Sequence, residues 1–136
     1  MQSHDVTALL SEKALKVTPQ RVAVMEFLCG NTSHPSVDDV YQQVRRRFPS
    51  ISRATMYNTV TTLVEAGLLQ EILIQQEKTH VDWNVDRHHH FQCLKCGTVK
   101  DIDYDAVTAE QVSKQVAGHL VTGVKVVMEG VCEGCR

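Results

Sequence analysis

The amino-acid sequence predicts an α+β fold in two parts, a helical first part and a smaller second part that mixes strands with a helix. Apolar residues recur at helical spacing as far as Gly67, and the spacing then becomes that of extended strands. Two Cys-x-x-Cys pairs lie in the second part. The polar stretch that begins at Asn84 is the predicted linker, so we expect one domain over residues 1–84 and another over 85–136.

Three helices of the first domain have clear start signals. Thr18, Ser36 and Ser52 are N-cap residues, and Pro19 takes the first helical position after Thr18. Each apolar run ends at a residue that stops helices, namely Gly30, Pro49 and Gly67. A weaker pattern predicts an earlier helix over residues 6–15.

A β-hairpin is predicted after the third capped helix, with strands over residues 68–74 and 79–83. Three helices followed by a hairpin are the outline of a winged helix, in which the third helix enters the major groove of DNA. The second domain is predicted to be a small α/β unit. Its expected elements are two strands, a helix and a last strand, over residues 88–93, 97–103, 106–117 and 121–128.

Four cysteines give the most specific chemical signal. Two residues between the cysteines of a pair let both sulfurs face one ion, and two pairs make the closed tetrahedral site typical of structural zinc. A redox-active dithiol is disfavoured, because it needs an exposed cysteine of low pKa in a redox fold. The fifth cysteine, Cys29, lies on the apolar side of its helix and is predicted to be a buried small hydrophobe. The predicted Zn²⁺ ligands are Cys93, Cys96, Cys132 and Cys135.

Histidines and carboxylates form a second group of candidate ligands. On a strand, His88 and His90 point to one face and His89 to the other, so at most two of the three serve one site. Asp82 from the hairpin and Asp101 from the neighbouring strand can converge on that pair. Mixed imidazole and carboxylate ligands suit an exchangeable ion such as Fe²⁺ or Mn²⁺. The alternative is a polar strand face that holds no metal.

Composition and missing motifs exclude some classes of protein. A net charge of −2 does not indicate nucleic acid, so DNA binding has to be argued from motifs. No apolar run approaches the roughly 18 residues of a membrane span, and no export signal is evident, so we expect a cytoplasmic protein without a membrane partner. An enzyme is disfavoured, because four cysteines leave zinc no position for water and the His-x-Glu motif of zinc deaminases is missing.

Four segments, taken together and in order, resemble the ferric uptake regulator family from about residue 13 to 135. They are KVTPQR at 16–21, HPSVDDVY at 34–41, SRATMYN at 52–58 and HHHFQCLKCG at 88–97. The resemblance implies a homodimeric repressor with an N-terminal winged helix that binds operator DNA and a C-terminal dimerisation domain that carries the zinc. The family's regulatory metal site corresponds here to His34, Asp82, His88, His90 and Asp101.

The resemblance also favours one branch of the family. Iron-sensing members usually have glutamate where this chain has Asp82 and Asp101, so these aspartates, together with Asn58, resemble the peroxide-responsive branch. In that branch bound Fe²⁺ reacts with hydrogen peroxide, a ligand histidine is oxidised and the repressor leaves DNA. By position, the histidine here is His34 or His88.

The DNA contacts are predicted at the start of the third capped helix, because the N-terminal residues of a recognition helix reach base edges. Arginine or tyrosine can bind phosphate, asparagine can pair with adenine, and threonine can contact a thymine methyl group. The alternative is a solvated helix face. The candidates are Arg53, Thr55, Tyr57 and Asn58, to which the family resemblance adds Lys16, as a minor-groove probe, and Arg21.

Other functions remain open from sequence alone. The same family contains regulators of iron, manganese, zinc or nickel sufficiency, and the ligand types do not separate these from a peroxide sensor. A zinc-ribbon interaction module without DNA binding is a more distant alternative. One departure from the family is the stretch between Lys125 and Cys132, which is several residues shorter than usual, so the last strand or its turn is expected to be trimmed.

Overall fold

The structure of the chain is a computed structural model that describes residues 3–75, 78–107 and 115–136. The chain divides into two compact units, Met1–Val85 and Asp86–Arg136. Helices and a hairpin form the first unit, whereas short strands and turns form the described part of the second. Within the described ranges, no helix is both long and apolar enough to cross a membrane.

The first unit contains four helices, and the predicted N-caps of three are confirmed. At Thr18, Ser36 and Ser52 the side chain accepts a hydrogen bond from the backbone N–H three residues further on. Asp39 completes a capping box with Ser36, because its carboxylate accepts from the backbone N–H of Ser36. The first helix lies earlier than predicted. The helices are α1 (Ser3–Glu12), α2 (Pro19–Leu28), α3 (Val37–Arg47) and α4 (Arg53–Glu65).

The helices bury one apolar face each and share a single core, with a hairpin beside it. The hairpin pairs β1 (Gln70–Gln75) with β2 (Lys78–Asp82) in antiparallel register, and Val81 of β2 is fully buried in the core. The main helical contributors to this core are Val24, Leu28, Val40, Val44, Met56, Val60 and Leu63.

The second unit is built around a three-stranded sheet. The central strand β3 (His88–Cys93) pairs antiparallel with β4 (Val99–Asp103) and parallel with β7 (Val127–Gly130). Two-residue strands, β5 (Gln115–Val116) and β6 (His119–Leu120), form a separate hairpin. The predicted strand over 88–93 is confirmed, and β3 therefore places its histidines beside β4 and its last residue, Cys93, at the turn that follows.

Two predictions for the second unit were wrong in part. The helix expected over 106–117 lies mostly outside the described residues, but Gln115–Val116 within it form a strand. The strand expected over 121–128 begins only at Val127. A strand needs a hydrogen-bonding neighbour as well as apolar side chains, and the backbone N–H of Val126 donates to the ring of His89 instead of to a strand.

Candidate metal centres and nucleic-acid interface

Four cysteine sulfurs converge in the second unit. All four lie within 4.8 Å of one another, and the Cys96 and Cys132 sulfurs are 3.8 Å apart. Thiolates about 2.3 Å from a tetrahedral zinc ion lie about 3.8 Å from one another, so the spacing matches the geometry of the ion. The cluster brings together the four predicted ligands and fits structural zinc.

Two tight turns build this cluster. Cys93 ends β3, and the turn after it closes at Gly97, whose φ of +78° is in the left-handed region that glycine adopts without penalty. The second pair lies in a 3₁₀ turn, in which the backbone N–H of Cys135 donates to the Cys132 carbonyl. The sulfur of Cys93 accepts hydrogen bonds from the backbone N–H groups of Cys96 and Cys132, at 3.5 and 3.3 Å. The two turns are thereby joined through one sulfur.

The electrostatics of the cluster favour a cation at its centre. Hydrogen bonds from the backbone of Cys96 and Cys132 lower the pKa of Cys93 to about 6, so its thiolate is present at neutral pH. Hydrogen bonds of the Cys135 thiol with the sulfurs of Cys132, Cys96 and Cys93 raise the pKa of Cys135 to about 12, because they favour its protonated form. A divalent ion at the centre would replace these hydrogen bonds and stabilise all four cysteines as thiolates.

A histidine and carboxylate group also forms within the second unit. His88 and His90 share one face of β3, and Asp101 is the cross-strand partner of His90 on β4. The two histidine Nε2 atoms are 3.0 Å apart, and they lie 3.4 and 3.5 Å from Asp101 Oδ1. Two ligand atoms held about 2.1 Å from one ion at a right angle lie about 3.0 Å apart. The three atoms can therefore occupy neighbouring positions around one cation, as the two-histidine, one-carboxylate set of non-haem Fe²⁺ sites does.

The orientation of His88 directs its Nε2 towards His90 and Asp101. Its Nδ1 lies 2.7 Å from the carbonyl oxygen of Asp86, and a carbonyl accepts, so Nδ1–H is the donor. The proton is then on Nδ1 and the lone pair is on Nε2, beside His90 and Asp101. Such a backbone partner for the second ring nitrogen is usual for metal-ligating histidines.

His89 has a structural role on the opposite face of β3. It is 1% exposed and stacks on Tyr104 with ring centroids 5.1 Å apart. Its Nε2 lies 3.1 Å from the Tyr104 carbonyl, and its Nδ1 accepts from the backbone N–H of Val126 at 3.1 Å. Both nitrogens are thus engaged by backbone groups, which fixes the neutral Nε2–H tautomer. Sequence reasoning separated His89 from the other two histidines but gave no indication of these partners.

The first unit contains its own histidine and carboxylate pair, His34 and Asp82. Both are buried, at 2% and 3% exposure, and His34 Nε2 lies 3.5 Å from Asp82 Oδ2. The other oxygen of Asp82 accepts from the backbone N–H of Asn84 at 3.0 Å, which fixes the carboxylate at the end of β2. Of the five predicted regulatory ligands, two therefore lie in the first unit and three in the second.

The start of α4 exposes the side chains that were predicted to contact DNA. Thr55, Tyr57 and Asn58 are exposed, whereas Met56 between them is buried in the core. Arg53 is also exposed, but it forms an ion pair with Asp38, and its guanidinium lies 4.7 Å from the ring centroid of Tyr41. Sequence reasoning missed this ion pair, although an aspartate in the first turn of α3 was visible in the sequence.

The two remaining DNA-binding candidates lie before and within α2. Arg21 Nη1 donates to the backbone carbonyl of Lys16 at 2.7 Å. The side chain of Lys16 is exposed. Arg21 therefore holds the backbone of the segment that presents Lys16.

A profile of the ferric uptake regulator family matches residues 12–129. The chain belongs to the ferric uptake regulator family. The predicted fold class is confirmed, namely α+β with an N-terminal winged-helix domain followed by a small α/β dimerisation domain with a four-cysteine site.

Individual relatives are similar to this chain over most of its length. The peroxide-responsive repressor PerR of Staphylococcus epidermidis is 34% identical over 130 residues, which cover 95% of this chain and 87% of that protein. The peroxide operon regulator of Bacillus subtilis is 33% identical over 127 residues, which cover 93% and 88%. A crystal structure of the Campylobacter jejuni peroxide stress regulator matches 99% of both chains with a TM-score of 0.69 and 30% identity. The Helicobacter pylori ferric uptake regulator Fur, at 18% identity and a TM-score of 0.77, shares the fold.

Proposed function

We propose that the chain is a metal-dependent transcriptional repressor that binds palindromic operator DNA as a homodimer and senses hydrogen peroxide through oxidation of a ligand histidine. The observation that carries the proposal is the convergence of His88, His90 and Asp101 at the spacing of neighbouring metal ligands. This ligand set suits a redox-active ion such as Fe²⁺, with Mn²⁺ as the alternative. A relative named as a peroxide-responsive repressor and another named as a peroxide operon regulator support the assignment.

The regulatory ion is proposed to take ligands from both units. His34 and Asp82 would come from the first unit, and the three ligands of the second unit would complete the set. An ion that binds all five favours the conformations in which the two units bring their ligands together. Metal binding then selects the dimer geometry in which two recognition helices fit successive major grooves of a palindrome. The four-cysteine site holds Zn²⁺ and supports the second unit irrespective of the signal.

Peroxide sensing follows from the ligand chemistry. The proposed ligands would hold Fe²⁺, which would supply the redox chemistry that activates hydrogen peroxide. Peroxide is the oxidant: a ring carbon of a ligand histidine loses two electrons and exchanges its C–H bond for a C–O bond to one peroxide oxygen, while the other oxygen leaves as water. His34 and His88 are the proposed targets. The Nε2 atom of each lies beside a proposed carboxylate ligand, Asp82 for His34 and Asp101 for His88. An oxidised ring is a poorer ligand, so the ion is released and the dimer leaves DNA.

Exposure on α4 supports the proposed DNA contacts. Thr55, Tyr57 and Asn58 are exposed and are proposed to contact base edges, and Arg53 is proposed to bind phosphate when it leaves Asp38. Lys16 precedes α2 on a backbone held by Arg21. It is proposed to reach the minor groove.

The test is metal-dependent operator binding. A random DNA duplex pool is selected with the zinc-loaded native chain in Mn²⁺, and the recovered palindrome is then used in gel-shift assays. We expect His34→Ala to keep its zinc and to lose the Mn²⁺-dependent shift, while the matched control His119→Ala, at an exposed histidine of β6, behaves as the native chain. Unchanged binding by His34→Ala would contradict the proposal. A native chain that selects no duplex with any divalent ion would favour a zinc-ribbon interaction module.

A further inference from the structure

His80 lies next to the ligand pair of the first unit but is not one of the proposed ligands. It precedes Asp82 by two residues on β2, so the two side chains leave the same face of the strand. Its Nδ1 lies 2.6 Å from the backbone carbonyl oxygen of His34. Because a carbonyl can only accept, Nδ1 carries the proton and donates it to this hydrogen bond.

The backbone of His34 needs such support. Its φ of +53° is in the left-handed region, which side chains other than glycine rarely adopt. Pro35 follows it, and a residue before proline normally prefers the extended conformation. A conformation of this kind persists when the contacts around it over-determine it.

Strand β2 supplies these contacts at consecutive positions. The His80 side chain holds the carbonyl of His34, a backbone bridge joins His80 to Ser36, and the backbone N–H of Val81 donates to the Pro35 carbonyl at 3.0 Å. Val81 is also fully buried, which anchors the strand in the core. The loop that carries His34 is thus held to the same strand that carries Asp82.

We propose that His80 is a positioning residue for the regulatory metal site. Its Nδ1–H bond holds the His34 backbone in the conformation that brings the imidazole Nε2 to 3.5 Å from Asp82 Oδ2. Without the bond, the backbone relaxes towards the extended conformation that Pro35 favours, and the imidazole moves away from the carboxylate. This inference rests on the proposed function, because it assigns His34 and Asp82 to one ion.

The experiment compares three variants of the zinc-loaded full chain. His80→Phe keeps a planar ring and removes the donor, whereas His80→Asn keeps an N–H donor at the same number of bonds from the backbone. His119→Phe is the matched control at an exposed histidine. Mn²⁺ affinity is measured by the loss of the free-ion electron paramagnetic resonance signal, and the unfolding temperature is measured without Mn²⁺.

We expect His80→Phe to bind Mn²⁺ about tenfold more weakly with its zinc retained, as is usual when an outer-shell partner is lost. His80→Asn should recover most of the affinity. Nitrogen chemical shifts of the native imidazole test the same bond without a variant and should show a proton on Nδ1 of His80. Native affinity in His80→Phe, an equal loss in His80→Asn, or a native Nδ1 without a proton would overturn the role of His80. A native chain that binds no Mn²⁺ would overturn the proposed function itself, and this role with it.

Discussion

The four-cysteine cluster and the proposed histidine and carboxylate ligands differ in how the chain distributes them. The cluster draws all its sulfurs from two turns of one unit, and they already have the spacing of a zinc site. The proposed regulatory ligands are divided, with three in the second unit and two in the first. A ligand set that is complete within one unit stabilises that unit, whereas the proposed divided set would make ion binding depend on the arrangement of the units.

The same difference appears in the ligand atoms. Four thiolates form a closed, soft site that exchanges its ion slowly and leaves no open position. Imidazole and carboxylate ligands suit ions that exchange and react with peroxide. The proposed structural role and the proposed sensing role therefore belong to different side chains of one small protein.

Cys96→Ser is expected to have the largest effect. Structural zinc contributes on the order of 10 kcal/mol or more to folding in small zinc domains, so the second unit should lose both its zinc and its cooperative unfolding transition. Metal analysis and thermal unfolding followed by circular dichroism measure the two losses. Cys29→Ser is the control, because Cys29 packs half-buried against the core of the first unit. If the Cys96→Ser variant retained its zinc, this result would contradict the assignment of the four cysteines to one structural zinc site.

Asp101→Ala should separate the two metal sites. We expect it to keep its zinc and to bind Mn²⁺ more weakly by about 100-fold or more, since loss of an outer-shell partner alone costs roughly 10- to 100-fold. Asp103→Ala changes an exposed aspartate on the same strand and serves as the matched control. Equal affinities of the two variants, measured by titration with Mn²⁺, would show that Asp101 is not a ligand.

His89→Phe distinguishes a structural histidine from its two neighbours. Phenylalanine preserves the stack on Tyr104 but leaves the Tyr104 carbonyl and the Val126 N–H without their ring partners. Each buried group left unsatisfied costs about 1–3 kcal/mol, so the free energy of unfolding should fall by at least about 1 kcal/mol. Chemical denaturation measures this fall, and Mn²⁺ affinity should remain near the native value. The opposite result, native stability with lost Mn²⁺ binding, would make His89 a ligand.

Asp38→Asn is expected to have the smallest effect. Asp38 holds Arg53 in an exposed ion pair, and such pairs contribute at most about 1 kcal/mol. Its removal frees Arg53 for phosphate and should raise operator affinity by up to about fivefold. Gel-shift titration at fixed salt measures the change, with Asp5→Asn on α1 as the control. Weaker operator binding by Asp38→Asn would mean that the ion pair orients Arg53 for DNA.

Local signals made much of the fold predictable from sequence. The caps at Thr18, Ser36 and Ser52 fix helix starts through bonds to residues three positions away, so a short stretch of sequence contains all the information. The last strand was mispredicted because its extent depends on β3 and on the ring of His89, which are far away in sequence. Apolar spacing does not reveal which backbone groups find partners.

In the candidate sites too, local spacing was predictable from sequence, whereas contacts between distant residues were not. Cysteine spacing predicted the zinc cluster, because two residues between cysteines determine the turn. The contact of His80 with the His34 carbonyl joins residues 46 positions apart, and no local sequence pattern indicates it. Likewise, Arg53 was assigned to DNA without its partner Asp38.

Peptide mass spectrometry tests peroxide sensing most directly. Zinc-containing protein is loaded with Fe²⁺ or with Mn²⁺, exposed to low hydrogen peroxide and digested. The proposed mechanism predicts one added oxygen on the peptide that carries His34 or His88, with Fe²⁺ and not with Mn²⁺, together with loss of operator binding. Unmodified histidines with intact operator binding in the Fe²⁺-loaded protein would contradict it and would indicate a regulator of metal sufficiency.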